Sequence, residues 1–471
     1  MFKAGLSSIL ASGIALACIL PLAATPAYRH VERPGDQGDD TPIEGVALPP
    51  VDVPPLDIAP PDTAAPIPDN QAPAADVQEP VAPAPRSQEA RAMWVVRYSL
   101  LSPQQVHAVV ERAYRYHFNA LMVQVRGRGD AYYHSNIEPR AESLLQQPDD
   151  FDPLAQVIRE AHGRGIKVFA WVDMMLVWSG KHRPLSAQHV VNAHPNWIDT
   201  RADGATMTAG DYEGQFLDPG IPAVRSYTVC VCCDLVRNYN LDGIHMDYIR
   251  YPAQSFGFSP DSLTLFYARQ HNGATATLAA MRQDAERSSA AFLEWRREQV
   301  TCQVREVREG IRSAKPWISL SAAVWANLED ARVNRMQDWP TWLKEGLVDF
   351  VCPMAYSTNT DRVVSQIRLA QDLSCGRQVW AGLGAWQMSP AATTAKIEAM
   401  RKLGVAGVCL FSYDGLTGGG SSEQYLASLC HGPFQRPAAF PAMPWLASRR
   451  PTPATPVASG GPAMRPSHGS L

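Results

Sequence analysis

Between Glu89 and Gly432 the apolar and polar positions repeat a beat: a short unbroken apolar run, then a stretch with helical spacing. The runs are Ala92–Val96, Ala120–Val125, Val168–Val172, Gly243–Ile249, Ile318–Val324, Phe350–Tyr356, Val379–Leu383 and Gly407–Ser412. The stretches between them carry helix signals. Ser102 before Pro103 suits a cap and a first turn. Leu154, Val157, Ile158 and Ala161 share one face at spacings of three and four, and Gly163-Arg-Gly165 ends that helix. Further helices are predicted over Val224–Tyr239 and Phe292–Ile311. Runs without a period-two polar face predict strands covered on both sides, hence a parallel sheet of the α/β class. Eight such units in this length predict a closed (β/α)8 TIM barrel with extended loops after the third and fourth strands. A doubly wound sheet is the alternative, but it wants a glycine-rich turn where this chain has Val96-Arg-Tyr-Ser-Leu100.

The beat stops at both ends. Of 39 prolines in 471 residues, 14 lie in residues 28–88 and 9 beyond residue 432, so neither stretch reads as part of the barrel. Residues 28–88, with 11 acids against 3 bases, predict a disordered acidic linker. Residues 433–471 predict a Pro-rich tail whose Phe434, Phe440 and Trp445 are candidates to dock its first part on the domain. Residues 1–27 read as a signal peptide: a basic Met-Phe-Lys start, an apolar stretch from Leu6 to Leu22, and an end at Ala27. This predicts export to the periplasm or beyond; a retained leader, or a lipid on Cys18, is the alternative and would tether the protein to the membrane. The barrel stretch, residues 89–432, is nearly neutral, which argues against a broad nucleic-acid footprint. Eight cysteines follow the leader, and they allow 105 connectivities without selecting one. Cys230-Val-Cys-Cys233 lies in an apolar periodic run with no second Cys/His pair, so it reads as buried helix cysteines rather than a metal site.

In such a barrel the chemistry gathers at the C-terminal strand ends. Those positions hold Arg97, Tyr98, Arg126, Asp173, Asp247 with Tyr248 and Arg250, Trp325, Tyr356, Trp386, Tyr413 and Asp414. No Ser-His pair stands among them. Aromatic faces stack on sugar rings and carboxylates serve oxocarbenium-like transition states, so the inventory suits a carbohydrate.

The segment Asp242-Gly-Ile-His-Met-Asp247-Tyr-Ile-Arg-Tyr-Pro252 resembles the fourth strand of the bacterial glycosyl hydrolase-like family ten. Supporting matches are Glu89-x-Arg-x-Met-Trp94, Val123-Gln-Val-Arg126, Asp130-Ala-x-Tyr133, Ala170-Trp171, Leu217-Asp-Pro-Gly220 and Pro353-Met-x-Tyr356, spanning nearly all of residues 89–415. The resemblance implies hydrolysis of a β-linked bacterial polysaccharide, with peptidoglycan glycan strands the leading substrate class. A more distant likeness is to family-eighteen chitinases, whose fourth strand reads Asp-Gly-x-Asp-x-Asp-x-Glu. Here His245 stands at the second Asp and Ile249 at the acid Glu, so a proton donor must come from elsewhere.

The chemistry assigns Asp247 as nucleophile or oxocarbenium stabiliser. It requires a second carboxyl about 5–5.5 Å away for retention, or about 6.5–9.5 Å for inversion. Asp173 and Asp414 are equal candidates for acid/base, and Glu329 is a third. His245 shares a strand face with Asp247 and either holds Asp247 or a substrate hydroxyl, or is a hydrogen-bonded core residue. Arg126 and Arg250 either bind substrate or orient Asp247. Trp325, Tyr356 and Trp386 are the candidate stacking walls, and Asp242 reads as structural. The expected function is an exported glycoside hydrolase acting on a polysaccharide with two carboxylates, no metal and no cofactor. A catalytically silent carbohydrate-binding barrel is one alternative, motivated by Ile249. A metal-dependent deacetylase is another, but His182, His245 and His271 lack the spacing it needs.

Overall fold

Every one of the eight apolar runs contributes a strand to one closed parallel barrel. The computed structural model describes residues 88–447 and Arg449; the leader, the linker up to Ser87 and the end of the tail lie outside the described residues. The strands are β1 (Ala90–Val95), β2 (Ala120–Arg126), β3 (Lys167–Asp173), β4 (Gly243–Asp247), β5 (Ser319–Trp325), β6 (Phe350–Met354), β7 (Gln378–Gly384) and β8 (Gly407–Phe411). They pair in sequence order, and β8 closes on β1. The helices that follow each strand are α1 (Pro103–Arg115), α2 (Pro153–His162), α3 (Pro222–Asn238), α4 (Ser289–Ala314), α5 (Trp339–Lys344), α6 (Thr360–Asp372), α7 (Pro390–Leu403) and α8 (Gln424–His431). The Ser102 hydroxyl caps α1 by accepting from the Gln105 N–H at 3.2 Å. All four stripe residues of α2 are buried. Two additional helices, Pro260–Gln270 and Leu278–Arg287, fill the loop after β4.

The unbroken apolar character of the strands follows from burial on both faces. Along β3, Val168, Ala170 and Val172 belong to the layer under the helices, while Phe169 and Trp171 fill the lumen. Lumen residues from other strands, among them Trp94, Met122, Phe350, Cys352 and Trp380, complete a packed core rather than a pore. Gly243 is required where this core is tightest, since a Cβ there would sit 2.5 Å from the Phe169 ring and 2.9 Å from the Ser319 carbonyl oxygen. The fourth strand is shorter than its apolar run. Tyr248 adopts φ 48° and turns the chain away after Asp247, leaving Ile249 buried outside the strand.

The N-terminal end of the barrel is covered by the tail, and the packed chain continues beyond Gly432. Phe440 lies near-parallel to Phe169 at 6.3 Å and edge-on to Trp380 at 5.5 Å. Met443 and Leu446 are buried in the same lumen cluster. The Trp445 indole N–H donates to Asp349 at 2.9 Å, and Arg377 stacks on the Trp445 ring at 4.7 Å. Phe434 meets Phe118 edge-to-face at 5.3 Å. All three tail aromatics singled out in the sequence are therefore seated. Their apolar area closes the open lower mouth, where Phe169, Phe350 and Trp380 would otherwise meet water.

Phe440→Ala is expected to lower the unfolding free energy by about 2 kcal/mol, less than the roughly 3–5 kcal/mol of a fully buried aromatic because Phe440 is only half-buried. Chemical denaturation checks this; a loss below about 0.5 kcal/mol, the scale of an ordinary surface substitution, would show that the tail is not part of the core.

Candidate active site

The lumen alternation that buries Phe169 and Trp171 on β3 carries Asp173 inward as the last residue of that strand. On β4 the same alternation sets Gly243, His245 and Asp247 inward. Asp173 and Asp247 are register partners on neighbouring strands, and both are buried. Adjacent strands stand about 4.8 Å apart, so the two carboxyls share one small region of the C-terminal mouth.

Two buried acids at that spacing resist ionising together. Burial lifts Asp247 to about 6, against the Tyr248 N–H, Arg250 and Trp171, which favour its anion. The Tyr248 N–H donates to Asp247 Oδ1 at 2.7 Å. Burial, and then the charge of Asp247, hold Asp173 well above the usual carboxylate range. Asp173 Oδ2 accepts from Gln124 Nε2 at 3.0 Å, while Asp173 Oδ1 has no partner among the described residues. Gln124 is itself oriented, because its carbonyl oxygen accepts from the Arg97 guanidinium at 3.0 Å. A donor on Oδ2 leaves Oδ1 as the oxygen that carries the proton. An unpaired buried oxygen is also less costly protonated than charged. The arrangement yields one ionised carboxylate and one protonated carboxyl, side by side.

Two phenols face this pair. Burial, followed by the charges of Asp247 and Asp173, raises the Tyr248 hydroxyl above its ordinary range. Burial and then Asp247 do the same to Tyr356. Both therefore remain donors. Tyr356 is set by aromatic neighbours, edge-on to Trp94 at 6.3 Å and to Trp386 at 5.1 Å, with Phe411 at 5.6 Å. Trp386 is 44% exposed at the rim, a free platform beside the phenol. Trp325 is half-buried, and its ring carries Arg335 at 4.5 Å and Arg250 at 5.4 Å.

Other residues expected at the site do different work. Arg126 is sealed from solvent. The register shifts between Gln124 and Arg126, so Gln124 aligns with lumen-facing Trp171 but Arg126 aligns with outward-facing Val172. The bulge turns Arg126 away from substrate. Its Nε reaches the buried Glu138 carboxylate at 2.8 and 3.0 Å, and its Nη1 donates to the carbonyls of Asp173 and Met174. Arg126 is thus a clamp on the end of β3.

His245 points inward one layer beneath Asp247 and does not touch substrate space. Its Nε2 accepts from the Trp94 indole at 3.1 Å, which leaves Nδ1–H to donate to the Ser321 hydroxyl at 2.9 Å. Burial lowers its pKa to about 3, so it is a neutral core residue. Asp414 is engaged with the turn that follows β1, accepting from the Ser99 hydroxyl and from the Val96 N–H at 3.4 Å. Glu329 lines a flank cavity of about 830 Å³ with Arg297, Arg332 and Gln366. Asp242, read as structural, accepts from Lys167 Nζ and the Val168 N–H, both at 2.9 Å, at the opposite end of β3 and β4.

Arg250 is buried and stacks on Tyr248 at 4.8 Å, with its Nη2 on Glu213 at 3.1 Å. Glu213 was not singled out in the sequence. It comes from the long loop after β3, anchored by a two-stranded ribbon of Leu176–Trp178 and Gln215–Phe216. Burial favours its neutral form, but Arg250 and other donors hold it below the usual range. Gln124 and Glu138 were likewise missed as working parts. Period-two counting along β2 and β3 was the signal able to find Gln124, as the lumen neighbour of Asp173.

Residues 89–379 match the family described as "Glycosyl hydrolase-like 10". Among curated relatives, "Glycosyl hydrolase YngK" of Bacillus subtilis (strain 168) is 28% identical over 259 residues, covering 50% of this chain and 46% of the relative. "Glycosyl hydrolase DigH" of Escherichia coli (strain K12) is 27% identical over 266 residues, covering 50% of this chain and 54% of the relative. The chain spans about half the length of these relatives. The fold is similar to the glycoside hydrolase domain of PgaB (BpsB) from Bordetella bronchiseptica, with TM-score 0.53 and 16% identity over 72% of this chain and 99% of that one. It is also similar to the catalytic domain of β-amylase from Paenibacillus polymyxa, with TM-score 0.53 and 10% identity over 78% of this chain and all of that one. At such identities the two structures attest the barrel alone. The family match covers well over half of the chain, on the same strands that place Asp173 and Asp247 at the mouth, and the chain belongs to the glycosyl hydrolase-like 10 family.

Proposed function

We propose that this protein is a glycoside hydrolase that cleaves glycosidic bonds of an extracytoplasmic bacterial polysaccharide, with peptidoglycan glycan strands the leading candidate. Asp247 acts as nucleophile or oxocarbenium stabiliser and Asp173 as proton donor. The observation that carries the reading is the in-register pair of buried carboxyls, whose burial and mutual charge favour different protonation of the two, as acid and nucleophile roles require. Asp173 Oδ1 gives its proton to the leaving glycosidic oxygen as the bond to C1 breaks. Asp247 supplies negative charge to C1, and ionised Asp173 then takes a proton from the water that completes hydrolysis. The side-by-side placement of the two acids on neighbouring strands favours the retaining arrangement, in which the carboxyls stand about 5–5.5 Å apart. Tyr356 and Trp386 form a wall for sugar rings. Export by the leader Met1–Ala27 belongs to the same reading, because such a polymer lies outside the cytoplasm. A silent binding barrel is motivated by Ile249, yet Ile249 packs into the apolar layer under the helices, and the donor role falls to Asp173 instead.

Asp247→Asn is expected to reduce release of reducing ends from amino-sugar polymers on the order of 10³-fold, and Asp173→Asn by roughly 10²–10⁴-fold. Wild-type protein that releases none from any such polymer would refute the reading. Proton NMR of the first product should show the anomeric configuration of the substrate retained; an inverted first product would contradict the paired roles.

Activity should rise as pH passes through about 6, where Asp247 ionises, and decline at higher pH as Asp173 loses its proton. Stability follows the opposite sense. Both acids hold protons more tightly folded than unfolded, so folding loses free energy as pH climbs from the ordinary carboxylate range through about 6 and beyond. Asp173→Asn removes that burden and should raise the melting temperature above neutral pH while abolishing activity. A lowered melting temperature would mean that the carboxyl is structural.

A further inference from the structure

The loop between β3 and β4 carries a feature that the paired carboxyls do not use. Tyr212 is 58% exposed, a large ring left in solvent at the catalytic end of the barrel. Its backbone is left-handed, with φ 48°, a conformation unfavourable for a bulky residue and not offset by burial of the ring. The flanking residues hold it there. The Asp211 carboxylate accepts from the Thr208 N–H at 2.7 Å and hydroxyl at 2.8 Å, and pairs with Arg201. Gly214 has φ 134°, and a Cβ there would run into the Trp178 carbonyl, so the turn after Glu213 admits no other residue.

The same turn is tied to the reacting pair. Glu213 meets Arg250 at 3.1 Å, Arg250 stacks on Tyr248 at 4.8 Å, and the Tyr248 N–H holds Asp247 at 2.7 Å. Phe216, beyond the turn, packs edge-on to Tyr248 at 5.8 Å. Tyr212 itself rests against Phe256 at 5.7 Å and lies within electrostatic reach of Arg335, the guanidinium stacked on Trp325. A ridge from Tyr212 through Arg335 to Trp325 therefore stands on the β3–β5 side of the mouth. Trp386 stands in the single helical turn Ala385–Gln387 just after β7, across the barrel.

We propose that Tyr212 is a stacking platform for a sugar ring distant from the scissile bond, so that the chain accepts a polymer lying across the mouth between the Tyr212 ridge and Trp386. The inference rests on the carbohydrate reading above and adds to it a preference for extended chains. Ring stacking needs an exposed, rigidly presented aromatic face, which is what the locked turn supplies. No bond changes at this position.

Tyr212→Asn removes the ring while keeping a residue that tolerates the left-handed backbone, and Tyr212→Phe keeps the ring. Hydrolysis of amino-sugar oligosaccharides from the disaccharide upward should show wild type favouring long chains. Tyr212→Asn should shrink the long-to-short ratio of kcat/KM about 3- to 10-fold, and Tyr212→Phe should preserve it. An unchanged ratio in Tyr212→Asn, or an equal loss in Tyr212→Phe, overturns the platform. Calorimetric binding of the same oligosaccharides to Asp247→Asn protein, with and without Tyr212→Asn, separates the two readings. If wild type cleaves nothing but binding strengthens with length only when the ring is present, hydrolysis fails and the platform stands. If binding is absent or indifferent to length, the platform fails.

Discussion

Two acids held in register at the ends of β3 and β4 set the terms for the rest of the molecule. Neighbouring strands fix their separation, and the lumen removes the water that would let both ionise. One proton must stay. The surroundings decide where: Gln124 donates to one oxygen of Asp173 and leaves the other free, while Asp247 receives a backbone N–H and feels Arg250. Arg126, the nearest strongly basic residue along β2, spends its charge on Glu138 and grips backbone carbonyls. It positions β3 without neutralising the pair.

Such a pair is a burden on folding, and the barrel carries it on a well-packed base. The lower lumen is filled by Phe169, Phe350 and Trp380, with Phe350 and Trp380 stacked at 3.8 Å, and the tail closes over them. Above this lies the neutral layer of Trp94, His245 and Ser321, whose hydrogen bonds are satisfied internally. The mouth also carries left-handed backbone at Tyr248 and Tyr212.

The barrel was legible in the chain because strands buried on both faces cannot hide their apolar runs, and because caps such as Ser102 mark where helices begin. Reading strand ends picks out Asp173 and Asp247, which the structure sets in register, and Tyr356 and Trp386, which it sets in contact. Arg126 misled because the bulge after Gln124 reverses which side faces the lumen, and no residue type announces a bulge. Of the two readings of His245, the structure matches the hydrogen-bonded core residue: it shares the parity of Asp247 but stands one layer lower, a distinction of depth that alternation does not encode. Glu213 was invisible for a third reason. Its approach to Arg250 depends on the path of a long irregular loop, which local pattern does not determine. Asp414 had the right position in sequence, but its partners in the turn after β1 hold it.

The hydrolytic pairing requires that Asp173 and Asp247 keep a single proton between them around neutral pH. Carbon-13 NMR of the carboxyl groups of selectively labelled aspartate, titrated in the intact protein, measures this directly. One carboxyl is expected to change charge near pH 6 and its neighbour to hold its proton above that point. Two carboxyls both ionising near pH 4, as free aspartates do, would contradict it.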